Sequence, residues 1–198
     1  MSPVTVLDVA GVRERLSRPA PAEAVYGDDG AGRREAGVTA AAVLVPIIAH
    51  PTLTVLFTKR TAQLKAHSGQ VSFPGGRAEP GDASVEATAL REAQEEIGLA
   101  PPLVEVLARL PEYFTRTGFR VTPVVGVIQP PLELLPDARE VDEVFEVPLD
   151  FILDPRNHQR GSREINGRTA HFYFIEHGER TIWGATAGML INLYRILV

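Results

Sequence analysis

The chain has 198 residues, 20 lysines and arginines against 25 aspartates and glutamates, and no cysteine. A chain of this length buries about 70% of its unfolded surface in one core, so one elaborated domain is expected. Its net charge of −5 argues against a general electrostatic grip on nucleic acid or an anionic membrane. Without cysteine there are no disulfides, cysteine-ligated metal sites or thiol nucleophiles.

The first residues, MSPVTVLDVAGVRERLSRP, carry charges every few positions where a signal peptide needs an uninterrupted apolar core. The longest apolar run, residues 40–49, contains Pro46 and has about half the ~20 residues that cross a bilayer. A cytoplasmic protein is the expectation. Val6, Val9, Val12 and Leu16 share a helical period, which predicts a short helix over 4–16. Residues 19–37, rich in Pro, Gly and Ala, read as a surface linker. Two β-type runs, 38–49 and 52–58, meet at His50-Pro51, and a polar stretch, 59–70, leads into Val71–Gly76. The segment 83–97 is the strongest helix, with Asp82 or Ser84 as its N-cap and Gly98 just past its end.

Further β runs follow at 103–110 and 121–128, and an acidic, proline-containing loop covers 130–142. Residues 143–153 mix strand and short-helix character, and 169–175 alternates as a strand whose partner is expected at 181–183. Leu190, Leu193, Tyr194 and Leu197 give the C-terminus a helical apolar stripe, suited to core packing or to contact with a second copy in a homodimer. Strands mixed with two or three helices predict an α/β layered domain with a mixed sheet.

The chemistry concentrates in Gly75-Gly76-Arg77-Ala78-Glu79-Pro80-Gly81-Asp82 and in Arg91-Glu92-Ala93-Gln94-Glu95-Glu96-Ile97-Gly98-Leu99. Helical spacing stacks Glu92 with Glu95 and Glu96, and each like-charge pair costs a few tenths of a kcal/mol. A hard divalent cation reverses that sign, because Mg²⁺ or Mn²⁺ takes one or two carboxylates together with substrate phosphate oxygens. Taken alone, the spacing describes a solvated acidic face more readily than a metal site. The preceding Gly-Gly loop, which lets backbone approach a ligand closely, and the adjacent Arg91 favour the metal reading.

These residues resemble the Nudix box, G-x5-E-x7-R-E-U-x-E-E-x-G-U, where U is aliphatic. Gly76, Arg91, Glu92, Ala93, Glu95, Glu96, Gly98 and Leu99 take their places. Asp82 stands where the pattern has Glu, and eight residues rather than seven separate it from Arg91. Immediately upstream, Leu56-Phe57-Thr58-Lys59-Arg60-Thr61, Lys65, Gly69 and Phe73-Pro74-Gly75-Gly76 resemble the signature of the coenzyme A pyrophosphatase branch of that family. Thr61 replaces Ser or Ala there, and Lys65 replaces Arg, which keeps the charge and loses the bidentate fork. Trp183-Gly184-Ala185-Thr186 and the 143–155 segment also resemble that branch, more weakly.

The resemblance implies a Nudix-type α/β/α sandwich over residues 38–198, with residues 1–37 packed on it as a helix and linker. It implies metal-dependent hydrolysis of coenzyme A or its derivatives to 3′,5′-ADP and 4′-phosphopantetheine. Glu92, Glu95 and Glu96 are the expected metal ligands, and Glu92, Glu95 and Arg91 the expected catalytic residues. Arg60, Lys65, Arg77, Gly75 and Gly76 are the expected substrate contacts, with His67 a further nearby cation. The general base is left open among Glu92, Glu95, Glu140 and Glu143. Two alternatives stand beside this reading: a Nudix pyrophosphatase for ADP-ribose or a dinucleotide, and a non-catalytic nucleotide-sensing module. The stretch Tyr113–Phe119, with Arg116 and Arg120, suits either a purine and phosphate contact or a plain connection between strands. His50, His67, His158, His171 and His177 have no metal-binding spacing, and no P-loop, nucleophile elbow or dinucleotide fingerprint occurs.

Overall fold

In a computed structural model the structure describes residues 7–19, 24–25, 27, 37–62, 69–165 and 167–198. Helix α1 (Val9–Leu16) opens at Asp8, whose carboxylate accepts from the Gly11 N–H, and leads to β1 (Thr39–Ile48) and β2 (Thr54–Arg60). Two short strands, β3 (Val71–Ser72) and β4 (Gly75–Arg77), precede α2 (Val85–Ile97). Strands β5 (Val104–Arg109), β6 (Tyr113–Phe114), β7 (Phe119–Ile128) and β8 (Val141–Pro148) follow, then the short helix α3 (Leu149–Leu153). The chain ends in β9 (Gln159–Ile165), β10 (Arg168–His177), β11 (Arg180–Trp183) and α4 (Ala185–Leu197).

The main sheet runs β3-β2-β1-β7-β5, with β8 paired to β2, β4 to β1 and β6 to β7. It is mixed: β1 and β7 run parallel over ten residue pairs, from Thr39↔Phe119 to Ile48↔Ile128, and the other ladders are antiparallel. Both faces of this sheet are covered, so β1 reads as an unbroken apolar run. Its even positions Ala42, Leu44 and Ile48 join Ala89, Ala93 and Ile97 of α2 in one cluster. Its odd positions Ala41, Val45 and Ile47 join α1, α3, α4 and the β9–β11 sheet in the other. Pro46 falls between the stretch of β1 paired with β4 (41–43) and that paired with β2 (47–48), where no ladder runs on that side.

Helix α2 begins after Ser84, whose hydroxyl accepts from the Ala87 N–H, and ends at Gly98 in the left-handed region at φ 71°. Ala89 and Ala93 face the sheet and bring α2 close to β1, and Ile97 is fully buried. Burying a side chain of that size contributes about 1.5–3 kcal/mol. The consequence for function is positional: the same helix face carries Glu92 and Glu96 towards the start of β1.

The sequence-predicted helices and strands recur with shifted ends, while most of the linker expected at 19–37 lies outside the described residues. The first helix starts at Val9, with residues 1–6 outside the described set, and the 143–153 segment resolves into β8 and α3. Strand β9 was not expected, because QRGSREI presents no apolar face to reveal it. It is held in place by pairing along β10, from Gln159↔Phe174 to Ser162↔His171 and beyond.

The C-terminal stripe packs inward, with Leu190, Leu193 and Leu197 of α4 fully buried. Helix α1 lies against α4 and β5, and an Arg13–Glu105 ion pair links it to β5. Asn192 of α4, itself buried, accepts from the Val25 N–H at 2.7 Å and donates to the Val25 carbonyl at 2.8 Å. Replacing it with leucine leaves two backbone groups unpaired, at about 1–3 kcal/mol. Asn192→Leu is therefore expected to lower the denaturation midpoint in urea and to speed proteolysis near residue 25. Wild-type values for both would show that this contact does not stabilise the fold.

Candidate active site

The site begins with a wedge in the chain between β3 and β4. Phe73 is buried and stacks on Phe57 with ring centroids 5.2 Å apart, and Phe57 in turn stacks on Phe145 at 5.7 Å. The Pro74 carbonyl accepts from the Leu44 N–H at 2.9 Å, which fixes the chain beside β1. Gly75 and Gly76 then pair with Val43 and Ala42. Neither position has room for a side chain. A Cβ on Gly75 would lie 2.5 Å from the Ala42 carbonyl oxygen, and one on Gly76 would lie 2.5 Å from the Glu92 carboxylate.

The glycine strand and α2 are tied together by Arg91. Its Nε donates to Asp82 Oδ1 at 3.0 Å, and its Nη2 donates to Asp82 Oδ2 at 3.1 Å and to the Arg77 carbonyl at 2.9 Å. Its Nη1 donates to Glu92 at 2.9 Å and to Glu95 at 3.1 Å. Asp82 also accepts from the Glu79 N–H and from the Thr88 hydroxyl, both at 2.8 Å. The Arg91 fork, with those two donors, holds the Asp82 carboxyl well below the usual carboxylate range. Asp82 thus closes the turn before α2 and forks Arg91 at once.

The three glutamates part company. Glu95 is 60% exposed and reaches Arg91 from the solvent side. Glu92 is mostly buried, and Glu96 keeps only 6% of its side-chain surface. Burial raises the Glu92 pKa, opposed by Arg91 and reinforced by Glu95 and Glu140. Burial pushes Glu96 up to about 7, opposed by the Gly75 N–H at 3.2 Å and by Arg60, and reinforced by Glu140 and Glu92. Two desolvated carboxylates one turn apart, with a third charge beside them, form an oxygen-only donor set that suits a hard divalent cation. Among the described residues no three His, Asp or Glu side chains converge as a complete metal site, so phosphate oxygens or water would have to complete the shell.

Glu140 comes from the loop before β8. The Thr61 N–H donates to its carbonyl at 3.0 Å, and the Thr61 hydroxyl donates to the Arg139 carbonyl at 3.2 Å. The pairing of β2 with β8 shifts register between Lys59 and Arg60, an irregularity of the kind that re-aims a side chain. Arg60 lies 3.5 Å from Glu96 and 3.9 Å from Glu140. Glu143, the other distant base candidate, is instead ion-paired with Arg180.

Across the glycine strand from the glutamates, none of which lines it, opens a cavity of about 480 Å³. Arg60, Phe73, Gly75, Gly76 and Arg77 line one side, and Trp183-Gly184-Ala185-Thr186 line the other. Of the remaining sequence candidates, Arg116 lines the cavity, Arg120 pairs with Glu112 at 3.6 Å, and Lys65 and His67 lie outside the described residues. His50 contacts Glu146, His158 packs on Tyr194, and His177 packs on Phe151, all away from the cavity lining. Sequence reasoning missed Arg163, which reaches the cavity from β9, a strand without an apolar signal.

A family model described as NUDIX domain matches residues 38–166. An uncharacterized Nudix hydrolase, NudL, of Pectobacterium atrosepticum is 44% identical over 153 residues, covering 77% of this chain and 80% of that protein. The uncharacterized NudL of Photorhabdus laumondii is 42% identical over 77% of this chain and 82% of its own length. Among solved structures, the Nudix hydrolase RenU of M. smegmatis superposes with a TM-score of 0.50 at 26% identity, covering 68% of this chain and 84% of that one. A MutT/nudix family protein of Enterococcus faecalis shares the fold with a TM-score of 0.51 at 15% identity, covering 79% of this chain and 60% of that one.

The two glycines make separable predictions. The Gly75→Ala methyl meets β1 backbone and is expected to destabilise the fold. The Gly76→Ala methyl meets only the end of the Glu92 side chain, so the variant is expected to fold but bind Mn²⁺ about tenfold more weakly, by about 1.4 kcal/mol. Thermal melts and Mn²⁺ titrations of both variants read this directly, and equal behaviour of the two would contradict the packing described.

Proposed function

The chain belongs to the Nudix hydrolase family, and we propose that within it the chain hydrolyses the pyrophosphate of coenzyme A or of a coenzyme A thioester. The family's hydrolases act on phosphoanhydrides and generally use a divalent metal ion. In this reading Glu92 and Glu96 hold Mg²⁺ or Mn²⁺, with Glu95 a partner through Arg91 or a further ligand. A bound cation would supply neutralising charge to the pyrophosphate and acidity to the attacking water. Water oxygen forms the new bond to phosphorus, the bridging P–O bond breaks, and 3′,5′-ADP and 4′-phosphopantetheine leave, the latter in acyl form from a thioester.

The observation that carries this reading is the meeting of two distant segments at one cavity. The Arg60-to-Gly76 signature and Trp183-Gly184-Ala185-Thr186 both resemble the coenzyme A branch, and both line this cavity, across the glycine strand from the glutamates. Arg60 and Arg77 supply guanidinium groups to that lining, matched to an anionic substrate. Gly75 and Gly76 let the strand backbone come close to whatever occupies it. The Arg77 guanidinium also stands 5.2 Å from the Phe119 ring centroid, which restricts where it can point.

The test is a product assay with Mg²⁺ or Mn²⁺, offering coenzyme A, dephospho-coenzyme A, ADP-ribose and a diadenosine polyphosphate separately. Preferential release of 3′,5′-ADP from coenzyme A supports the reading. Preferential cleavage of ADP-ribose or the dinucleotide contradicts it, and turnover of none of the four contradicts it too.

Glu96→Gln separates function from stability. Losing several kcal/mol of metal-centred stabilisation corresponds to roughly 10³-fold in turnover. The raised pKa means that the folded protein holds this proton more tightly than the unfolded chain does. Its stability contribution is present below the ordinary glutamate pKa of about 4.3 and is lost as pH rises through about 7. The metal-free Gln variant should therefore melt higher than wild type at pH 8 and close to it at pH 5. Near-normal turnover, or a lower melting point at pH 8, would contradict the assignment.

A further inference from the structure

Most arginines in the described structure are matched to a carboxylate. Arg13, Arg18, Arg60, Arg91, Arg109, Arg120, Arg139, Arg156 and Arg180 each have an acidic partner within ion-pair distance. Arg77, Arg116 and Arg163 have none among the described residues, and all three line the same cavity. In a chain of net charge −5, this gathers uncompensated positive charge at one place. Three guanidinium groups around a pocket repel one another unless an anion occupies it.

The wall bearing Arg163 is built for a planar, charged ligand. The Arg163 guanidinium stands 5.5 Å from the Trp183 ring centroid and 5.9 Å from that of Phe172. Phe172 and Trp183 meet edge to face with centroids 5.9 Å apart. Gly161, opposite Phe172 in the β9–β10 ladder, makes room for that ring, since a Cβ there would lie 2.8 Å from it. A guanidinium stacked on aromatic faces is fixed in position while its N–H edges stay available to an oxyanion. Arg116 approaches the same cavity from the turn between β6 and β7, which is closed by the Thr115 hydroxyl accepting from the Phe119 N–H.

We propose that Arg116, Arg163 and Trp183 form a distal subsite for a phosphomonoester-bearing purine nucleotide, apart from the carboxylates whose metal would meet the scissile pyrophosphate. The proposal rests on the coenzyme A reading in one respect: the ligand's purine end carries a third phosphate. An uncharged pantetheine arm has no use for unpaired guanidinium groups, so this cavity takes the 3′-phosphoadenosine end and the arm leaves towards solvent. The volume of about 480 Å³ lies in the ordinary range for a small-molecule site.

The experiment compares binding of 3′,5′-ADP and 5′-AMP by calorimetry, in EDTA, to wild type and to Arg163→Gln, Arg116→Gln and Arg18→Gln. Arg18 pairs with Glu14 on α1 and controls for the loss of one charge. Wild type is expected to favour 3′,5′-ADP at least tenfold, each cavity variant to lose most of that preference, and Arg18→Gln to keep it. Equal binding of the two nucleotides by wild type, no binding below about 1 mM, or equal losses in all three variants would overturn the subsite. Arg116→Gln, on a turn, keeps the test available if Arg163→Gln disturbs β9. The two readings fail differently: coenzyme A turnover without nucleotide discrimination rejects the subsite, and discrimination without coenzyme A turnover rejects the substrate assignment alone.

Discussion

Arg91 uses all five of its N–H donors inside the protein. One Nη1 pair divides between Glu92 and Glu95, while Nε and Nη2 close on both oxygens of Asp82 and on the Arg77 carbonyl. No other side chain can do this, because only the planar fork offers five donors in fixed directions. The interaction matters because α2 carries three glutamates within one turn, an arrangement that opposes itself electrostatically. Arg91 offsets part of that repulsion, aims Glu92, draws Glu95 outward and fastens the glycine strand to the helix. Through it the glycine strand and the glutamate-bearing helix share one anchor.

A division of charge follows. Carboxylates gather on the α2 side of the glycine strand, and unpaired arginines gather on the cavity side. Arg60 stands at the boundary, close to Glu96 and Glu140 and also part of the cavity lining. A pyrophosphate ester needs this pairing, with cations or metal at the bridge and guanidinium groups along the rest of the anion. The parallel β1–β7 pairing holds the two sides in register: β1 carries β4 and its glycines, and β7 starts at Phe119, whose ring faces Arg77. The three-stranded sheet and α4 then close the cavity with Trp183 to Thr186.

Much of this was legible in the sequence, for reasons that differ by element. Helix α2 announced itself through its period, the Ser84 cap and Gly98, and the same period placed its glutamates together. Strand β1 was legible as an apolar run because both its faces are buried, although nothing local revealed that its partner β7 runs parallel to it. Strand β9 was invisible: its outward residues are polar, and its pairing with β10 is a tertiary fact. Arg163 was hidden with it. The roles of the three glutamates could not be separated from spacing, because helical geometry gives neighbours and not exposure. Burial of Glu96 and exposure of Glu95 depend on where β1 and the Gly75 backbone lie.

The most direct test of the account is the Mn²⁺ affinity of Arg91→Lys, measured beside its thermal midpoint. Lysine keeps the charge but cannot bridge Asp82, Glu92, Glu95 and the Arg77 carbonyl together. A folded protein whose Mn²⁺ affinity falls at least tenfold, or about 1.4 kcal/mol, is expected, because the carboxylates lose their common anchor. A folded Arg91→Lys protein with wild-type Mn²⁺ affinity would show that the glutamates are held by something other than Arg91.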